Sequence, residues 1–435
     1  MRVSLLIALA VVAAAGRALA ADGPALTSQD RQEAIRKTAQ ILRDVYVYPD
    51  VGAQTASTIE ESYRAGQFDE LSDPKVFAQR LGDELRAATH DPHMLVLPPG
   101  STPFDALPGP VPASNGGIVK AAVLRGNVGY VEIAGFPDPT MFEDTADQVF
   151  GDLAGTKALI IDMRRGSAGG SPAAVAYLCS FFLPKSQKTH LNDIIRRKRG
   201  TDSFTTESFY AVATPSRYPD RPVFILTSRA TFSGGEELVY DLKALKRVKV
   251  VGERTAGGAN PGGFAPIGSN MAAFVPSGRA RNPVTGTNWQ GAGVEPDLQT
   301  PADHAFAAAY KLASGRSRPA DPGHEPDRNL SPEAHVERWV LKEPHDPSPG
   351  REAALRRLIG DVGRGDSPHD PMTAQFADAR KAGATNRASE TRVDGATSVV
   401  DLFRARLAGG RQFPRQFRAR GYELVDLHAS QRCNL

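Results

Sequence analysis

Three runs of strand length, ALIIDM (158–163), PVFILTS (222–228) and VKVVGE (248–253), are apolar on both of the faces a strand would present. A strand buried on both sides needs a layer above it and a layer below it. The segments between the runs supply those layers: an amphipathic stretch from Pro172 to Phe182 and another after Ser233. Strands alternating with helices in this way specify a parallel sheet covered by helices, an α/β core. GNVGYVEIAGF (126–136) adds a further strand, so the core is expected over residues 110–300.

Upstream the period changes from two to three or four. In SQDRQEAIRKTAQILRDVYVYPD (28–50), Ile35, Ala39, Ile41, Leu42 and Val45 recur at helical spacing behind Ser28 as the cap, and Pro49 stops the pattern. DPKVFAQRLGDELRAATHD (73–91) repeats it. A three-helix N-terminal domain over 21–105 is the natural reading, closing in THDPHMLVLPPG. Downstream, seven prolines from Pro319 to Pro349 mark 301–350 as a linker holding one short helix, PEAHVERWVLK (332–342). Residues 351–435 read as a small C-terminal α+β domain with helices REAALRRLIGDV and SVVDLFRARLAG and a last strand, YELVDLH.

The first twenty residues, MRVSLLIALAVVAAAGRALA, have the form of a secretory signal: a basic start, an apolar run too short to span a bilayer comfortably, and Ala18-Leu19-Ala20 as the cleavage site. Removing them takes Arg2 and Arg17, which leaves 50 Lys+Arg against 49 Asp+Glu, a net charge of +1. A neutral chain has no basic surplus to release counterions from phosphates, which argues against nucleic acid as a partner. No later window has the apolar length of a membrane helix. The expected product is therefore soluble and exported, to a periplasm or beyond the cell. Cys179 and Cys433, separated by most of the chain, make no disulfide framework, and no motif specifies an oligomeric state.

Chemistry concentrates in three places. In TFSGGEELVYDLKAL (231–245), Ser233 lies where a buried strand gives way to a helix. SGGE fits the capping box S-x-x-E, which makes the serine structural. The same geometry fits a nucleophile, because Gly234 and Gly235 let a substrate backbone approach and a helix start offers free amides to an oxyanion. DMRRGSAGGSP (162–172) is a second glycine-rich strand-to-helix loop; it lacks both the G-x-x-x-x-G-K-[ST] and the G-x-G-x-x-G spacing, so an oxyanion hole or an ordinary turn is the better reading than a nucleotide cradle. His90 and His93 flank Pro92 at the domain junction. They do not form the H-E-x-x-H pair of a zinc helix, and either could be a loop histidine or the base a serine hydroxyl requires.

Together these segments resemble one family. TSRATFSGGEELVYDLKALKRVKVVGERTAGGA is similar to the active-site segment of the C-terminal processing (tail-specific) serine peptidases, a group that includes tricorn and the interphotoreceptor retinoid-binding proteins. IIDMRRGSAGG is similar to its D-L-R-x-N-x-G-G loop, NWQGAGVEPD to its G-V-x-P-D signature, and the helical region ending in THDPHM to the retinoid-binding branch. The resemblance covers about residues 28–300. It implies a crotonase-like (ClpP-like) ββα core preceded by an N-terminal three-helix bundle, with no metal or organic cofactor and a peptide or protein as substrate. It implies Ser233 as nucleophile. The lysine that processing proteases use falls at Gly258, so the implied base is His93, as in tricorn-like members. Gly234 with Gly169 or Gly170 would form the oxyanion hole. Gln290 stands where those members have an orienting Glu, and Glu237, four residues after Ser233, is the candidate substitute. Arg164, Arg165 and Arg229 flank the cleft and could grip a substrate carboxylate. The function implied is an exported serine endopeptidase or carboxyl-end-directed peptidase; the alternative is an inactive relative that holds a peptide or apolar ligand in the same cleft.

Overall fold

A computed structural model describes residues 24–101, 116–165, 170–185, 188–315 and 335–341. The expected signal segment, most of the linker and the whole C-terminal domain from 351 lie outside the described residues.

Three helices open the chain: α1 (Ser28–Val45), α2 (Pro49–Arg64) and α3 (Pro74–Thr89). The cap of α1 is Thr27 and not Ser28, because Thr27 and Asp30 close a reciprocal capping box. Pro49 stops nothing on its own; it is the first residue of α2, where its missing N–H costs no helical bond. These helices share their core with β1 (Leu95–Leu97) and two strands from far along the chain, β9 (Gly262–Gly268) and β10 (Met271–Pro276). Leu42, Ile59, Phe77 and Leu85 pack against Ile267, Met271 and Val275. The N-terminal helices are thus built onto a hairpin of the following region.

Among the described residues the central sheet has seven strands. It holds β2 (Ile118–Leu124), β3 (Val128–Ile133), β4 (Ala158–Asp162), β7 (Val223–Thr227), β8 (Lys249–Gly252), β12 (Leu298–Gln299) and β13 (Val336–Trp339), in the order β12-β8-β7-β4-β3-β2-β13. The five strands from β12 to β3 run parallel, and β4 and β7 among them are buried on both faces, as their two-sided apolarity requires. Leu159 and Ile161 face the layer of α4 (Pro139–Asp152), α5 (Pro172–Ser180) and α6 (Gly234–Ala244), while Ala158 and Ile160 face α7 (Ala302–Ser314). A third, antiparallel sheet holds β5 (His190–Arg197), β6 (Phe204–Tyr210) and β11 (Gly278–Arg281).

Two expectations for 301–350 are corrected. Residues 302–314 are a helix that buries Ala305, Phe306 and Ala309 against the sheet, and the described part of PEAHVERWVLK is strand β13, paired antiparallel with β2. An open sheet edge at β2 is available to that segment, and ladder bonds outweigh its helical pattern.

Candidate active site

Ser233 sits in the turn from β7 into α6 with φ 50° and ψ −120°, a backbone region that non-glycine residues rarely occupy. The turn is braced on both sides. Thr231 donates its hydroxyl to the Met163 carbonyl at 2.9 Å, and Ala256 N–H donates to the Thr231 carbonyl at 3.0 Å. The Glu236 half of the predicted capping box is a firm bond, Ser233 N–H to Glu236 Oε2 at 3.0 Å. The serine hydroxyl meets the amide of Glu236 only loosely; its firm partner is His93, whose Nε2 is 3.1 Å away.

His93 reaches that position because α3 stops abruptly. His90 adopts the left-handed conformation at the C-cap, and Pro92 follows, which cannot continue a helix. Asp91 then closes an Asx turn by accepting the His93 N–H at 3.0 Å. The turn leaves His90 exposed and His93 buried. The His93 ring lies against Phe232, with centroids 4.4 Å apart, and against Phe274 at 5.9 Å. It also lies against Gly258, where a Cβ would stand 2.7 Å from His93 Cε1. The position that would carry the family's lysine is therefore the wall of the histidine seat, and only a glycine leaves room for the ring.

Asp91, which the sequence reading left without a role, completes the constellation. It is 1% exposed, its Oδ1 lies 3.5 Å from His93 Nδ1, and its Oδ2 accepts from Asn260 Nδ2 at 2.8 Å and from the Tyr46 hydroxyl at 3.4 Å. The 3.5 Å separation is longer than a good hydrogen bond, and His93 Nδ1 has no other partner among the described residues. Burial alone would push the Asp91 carboxyl up, but hydrogen bonding and charge from His93, with the Asn260 amide, hold it below the usual carboxylate range. The signal was in T-H-D-P-H, where an acidic residue two positions before a histidine can cap its backbone and face its ring.

The two orienting groups expected from the sequence lie elsewhere. Gln290 accepts the Ala259 N–H through Oε1 at 2.7 Å and so supports the turn behind Gly258. Glu237 points into the core, accepting from Asn192 at 3.0 Å. The i, i+4 argument for Glu237 fails because Ser233 does not have helical dihedrals, so no helical face runs from it. Arg164 is not free to grip a substrate, since its guanidinium is committed to both oxygens of Asp162 and to the Ala302 carbonyl. Arg165 is exposed, 3.6 Å from Glu132, and Arg229 is exposed at the start of the turn that leads to Ser233.

Gly234 is the first residue of α6, so its N–H has no intrahelical acceptor and lies at the positive end of the helix dipole beside Ser233. Gly170 bridges to Phe136, and a Cβ there would stand 2.4 Å from the Phe136 Cβ. Gly169 lies outside the described residues.

Comparison with known proteins converges on these same segments. The description "Peptidase family S41" matches residues 127–300, and "N-terminal domain of Peptidase_S41 in eukaryotic IRBP" matches residues 24–116. A curated relative from Streptomyces coelicolor, Putative tricorn protease homolog 2, is 29% identical over 191 residues, which is 40% of this chain. The matched stretch is only 15% of that relative's length, so this chain spans a small part of it. Among solved structures, the photosystem II D1 C-terminal processing protease aligns at 17% identity and a TM-score of 0.43, over 70% of this chain and 100% of its own. The tricorn protease aligns at 14% identity and a TM-score of 0.41, over 66% of this chain and 36% of its own. With Ser233 inside the match to the peptidase family and His93 inside the match to its N-terminal domain, this chain belongs to peptidase family S41.

Proposed function

We propose that this protein is an exported serine peptidase that cleaves peptide bonds through an acyl-enzyme on Ser233. The single observation that carries the reading is the Ser233 Oγ to His93 Nε2 separation of 3.1 Å with buried Asp91 behind the imidazole. In this mechanism His93 takes the Ser233 proton as the hydroxyl attacks the scissile carbonyl, then delivers it to the leaving amine. Asp91 holds the imidazole with Nδ1 protonated and balances the imidazolium that forms. The Gly234 amide, with one from Gly169 or Gly170, receives the oxyanion. A water activated by the same histidine then releases the acyl group. Membership in a peptidase family, the nucleophile turn and the strained serine backbone support the reading, as does the placement of the serine turn between a parallel strand and a helix that covers the sheet. Export rests on the signal-like first twenty residues.

The test is covalent labelling. Purified protein incubated with a fluorophosphonate probe is expected to label on Ser233, while Ser233→Ala stays unlabelled and His93→Ala labels at least a hundredfold more slowly. Well-folded wild type that neither labels nor cleaves casein sinks the peptidase reading and favours a cleft that only binds its peptide or apolar ligand.

A further inference from the structure

Ser233 and His93 lie 140 residues apart, one on a turn of the central sheet and the other on the loop that leaves the N-terminal helices. Two groups carried by different structural layers need a common reference if their separation is to stay within hydrogen-bond reach. On the histidine side that reference is the turn from Thr255 to Asn260. Gly258 forms the wall of the ring's seat, and Asn260 holds Asp91. On the serine side it is the first turn of α6.

One side chain joins the two. Glu236 is fully buried and accepts four hydrogen bonds. Its Oε2 receives the Ser233 N–H at 3.0 Å and the Gly258 N–H at 2.7 Å; its Oε1 receives the Gly257 N–H at 2.6 Å and the Thr255 hydroxyl at 2.5 Å. A single oxygen therefore bonds both the nucleophile's own amide and the residue on which the base's ring rests. We propose that Glu236 is a positioning residue of the active site, a carboxylate pin that sets the spacing between Ser233 and His93. The proposal rests on the serine peptidase reading for its catalytic meaning, but the geometric claim stands by itself.

The four partners suit an acceptor. Three are backbone N–H groups that can only donate and the fourth, the Thr255 hydroxyl, donates here, so the two carboxylate oxygens satisfy all of them. Burial holds the Glu236 carboxyl above its usual value, and the bonds from Thr255, Gly258, Gly257 and Ser233 offset only part of that rise. A capping role alone would need only the bond to Ser233. The three bonds to the Thr255–Gly258 turn have no part in starting a helix.

The experiment uses Glu236→Gln, which keeps the shape but turns one acceptor oxygen into a donor, in the full chain. Two readouts are taken. Crystal structures of wild type and variant should show the Ser233 Oγ to His93 Nε2 distance lengthen beyond 3.5 Å. Fluorophosphonate kinetics should show the maximal labelling rate fall tenfold or more with half-saturation by the probe within twofold, a split that general loss of fold would not produce. An unchanged distance with unchanged labelling overturns the proposal. If wild type does not label, the serine peptidase reading fails, and the distance comparison still decides whether Glu236 is the pin. Should Glu236→Gln not fold, Thr255→Val removes one donor from the turn side without touching Ser233; a labelling rate and distance equal to wild type there overturn the proposal as well.

Discussion

Substitution of Gly258 by alanine gives the sharpest test of how the base is seated. Gly258 does not have a left-handed φ, so alanine imposes no backbone strain there and its effect is steric alone. The new Cβ would stand 2.7 Å from His93 Cε1 and 2.2 Å from Phe232 Cε2. Carbon atoms pack at about 3.5–4.0 Å, so the imidazole must retreat by roughly 1 Å or the phenyl ring must swing away from it. Starting from 3.1 Å, a retreat of that size breaks the serine–histidine bond. A misplacement of about 1 Å at a reacting group costs about 100-fold in rate, or ~2.7 kcal/mol of transition-state stabilisation. The fluorophosphonate labelling rate of folded Gly258→Ala should therefore fall about 100-fold, with a native circular dichroism spectrum and a thermal midpoint lowered by overpacking of about 1–3 kcal/mol. Gly155→Ala, where an added Cβ meets nothing within 4 Å, is the control and should label normally. Labelling of Gly258→Ala at the wild-type rate would refute the reasoning, since the ring would then not need the space that glycine leaves.

Three further outcomes are expected. Asp91→Asn keeps the shape but cannot balance an imidazolium, so the labelling rate should drop by about 10³–10⁴-fold; a drop under tenfold removes Asp91 from the mechanism. Burial pushes the Glu237 carboxyl, beside Asp241, from 4.5 up to about 7, so stability present below about pH 4.5 is lost as pH rises through about 7. Glu237→Gln should lessen that loss, so that it stabilises more at pH 8 than at pH 4, read from urea midpoints at the two pH values; the same midpoint shift at both refutes it. Phe306, 2% exposed under the sheet, should cost about 3–5 kcal/mol as Phe306→Ala, with the labelling rate of the folded fraction unchanged; a shift under 1 kcal/mol in thermal or urea unfolding would show that α7 is not part of the core.

Much of the scaffold was legible because it follows from local rules. Two-sided apolar runs demand a covered parallel sheet, a strand running into SGGE demands a tight helix start, and a proline after a helix demands a break. Those rules singled out Ser233, as cap or nucleophile, and the pair His90 and His93; the family resemblance chose His93 of the two. They misplaced Glu237, because a helical face was extended to a residue outside the helix, and they misjudged VERW, whose strand state depends on a sheet edge far away in the chain, where Val336 pairs with Leu124.

What the sequence by itself determined was the N-terminal helices, the core parallel strands and the turns that carry the serine and the histidine, since backbone propensity and burial pattern act over a few residues. Only the tertiary structure decided the partners. Asp91, Asn260, Gly258 and Glu236 acquire their roles from contacts between chain segments far apart in sequence, and the distances that create those contacts exist only once the layers have packed.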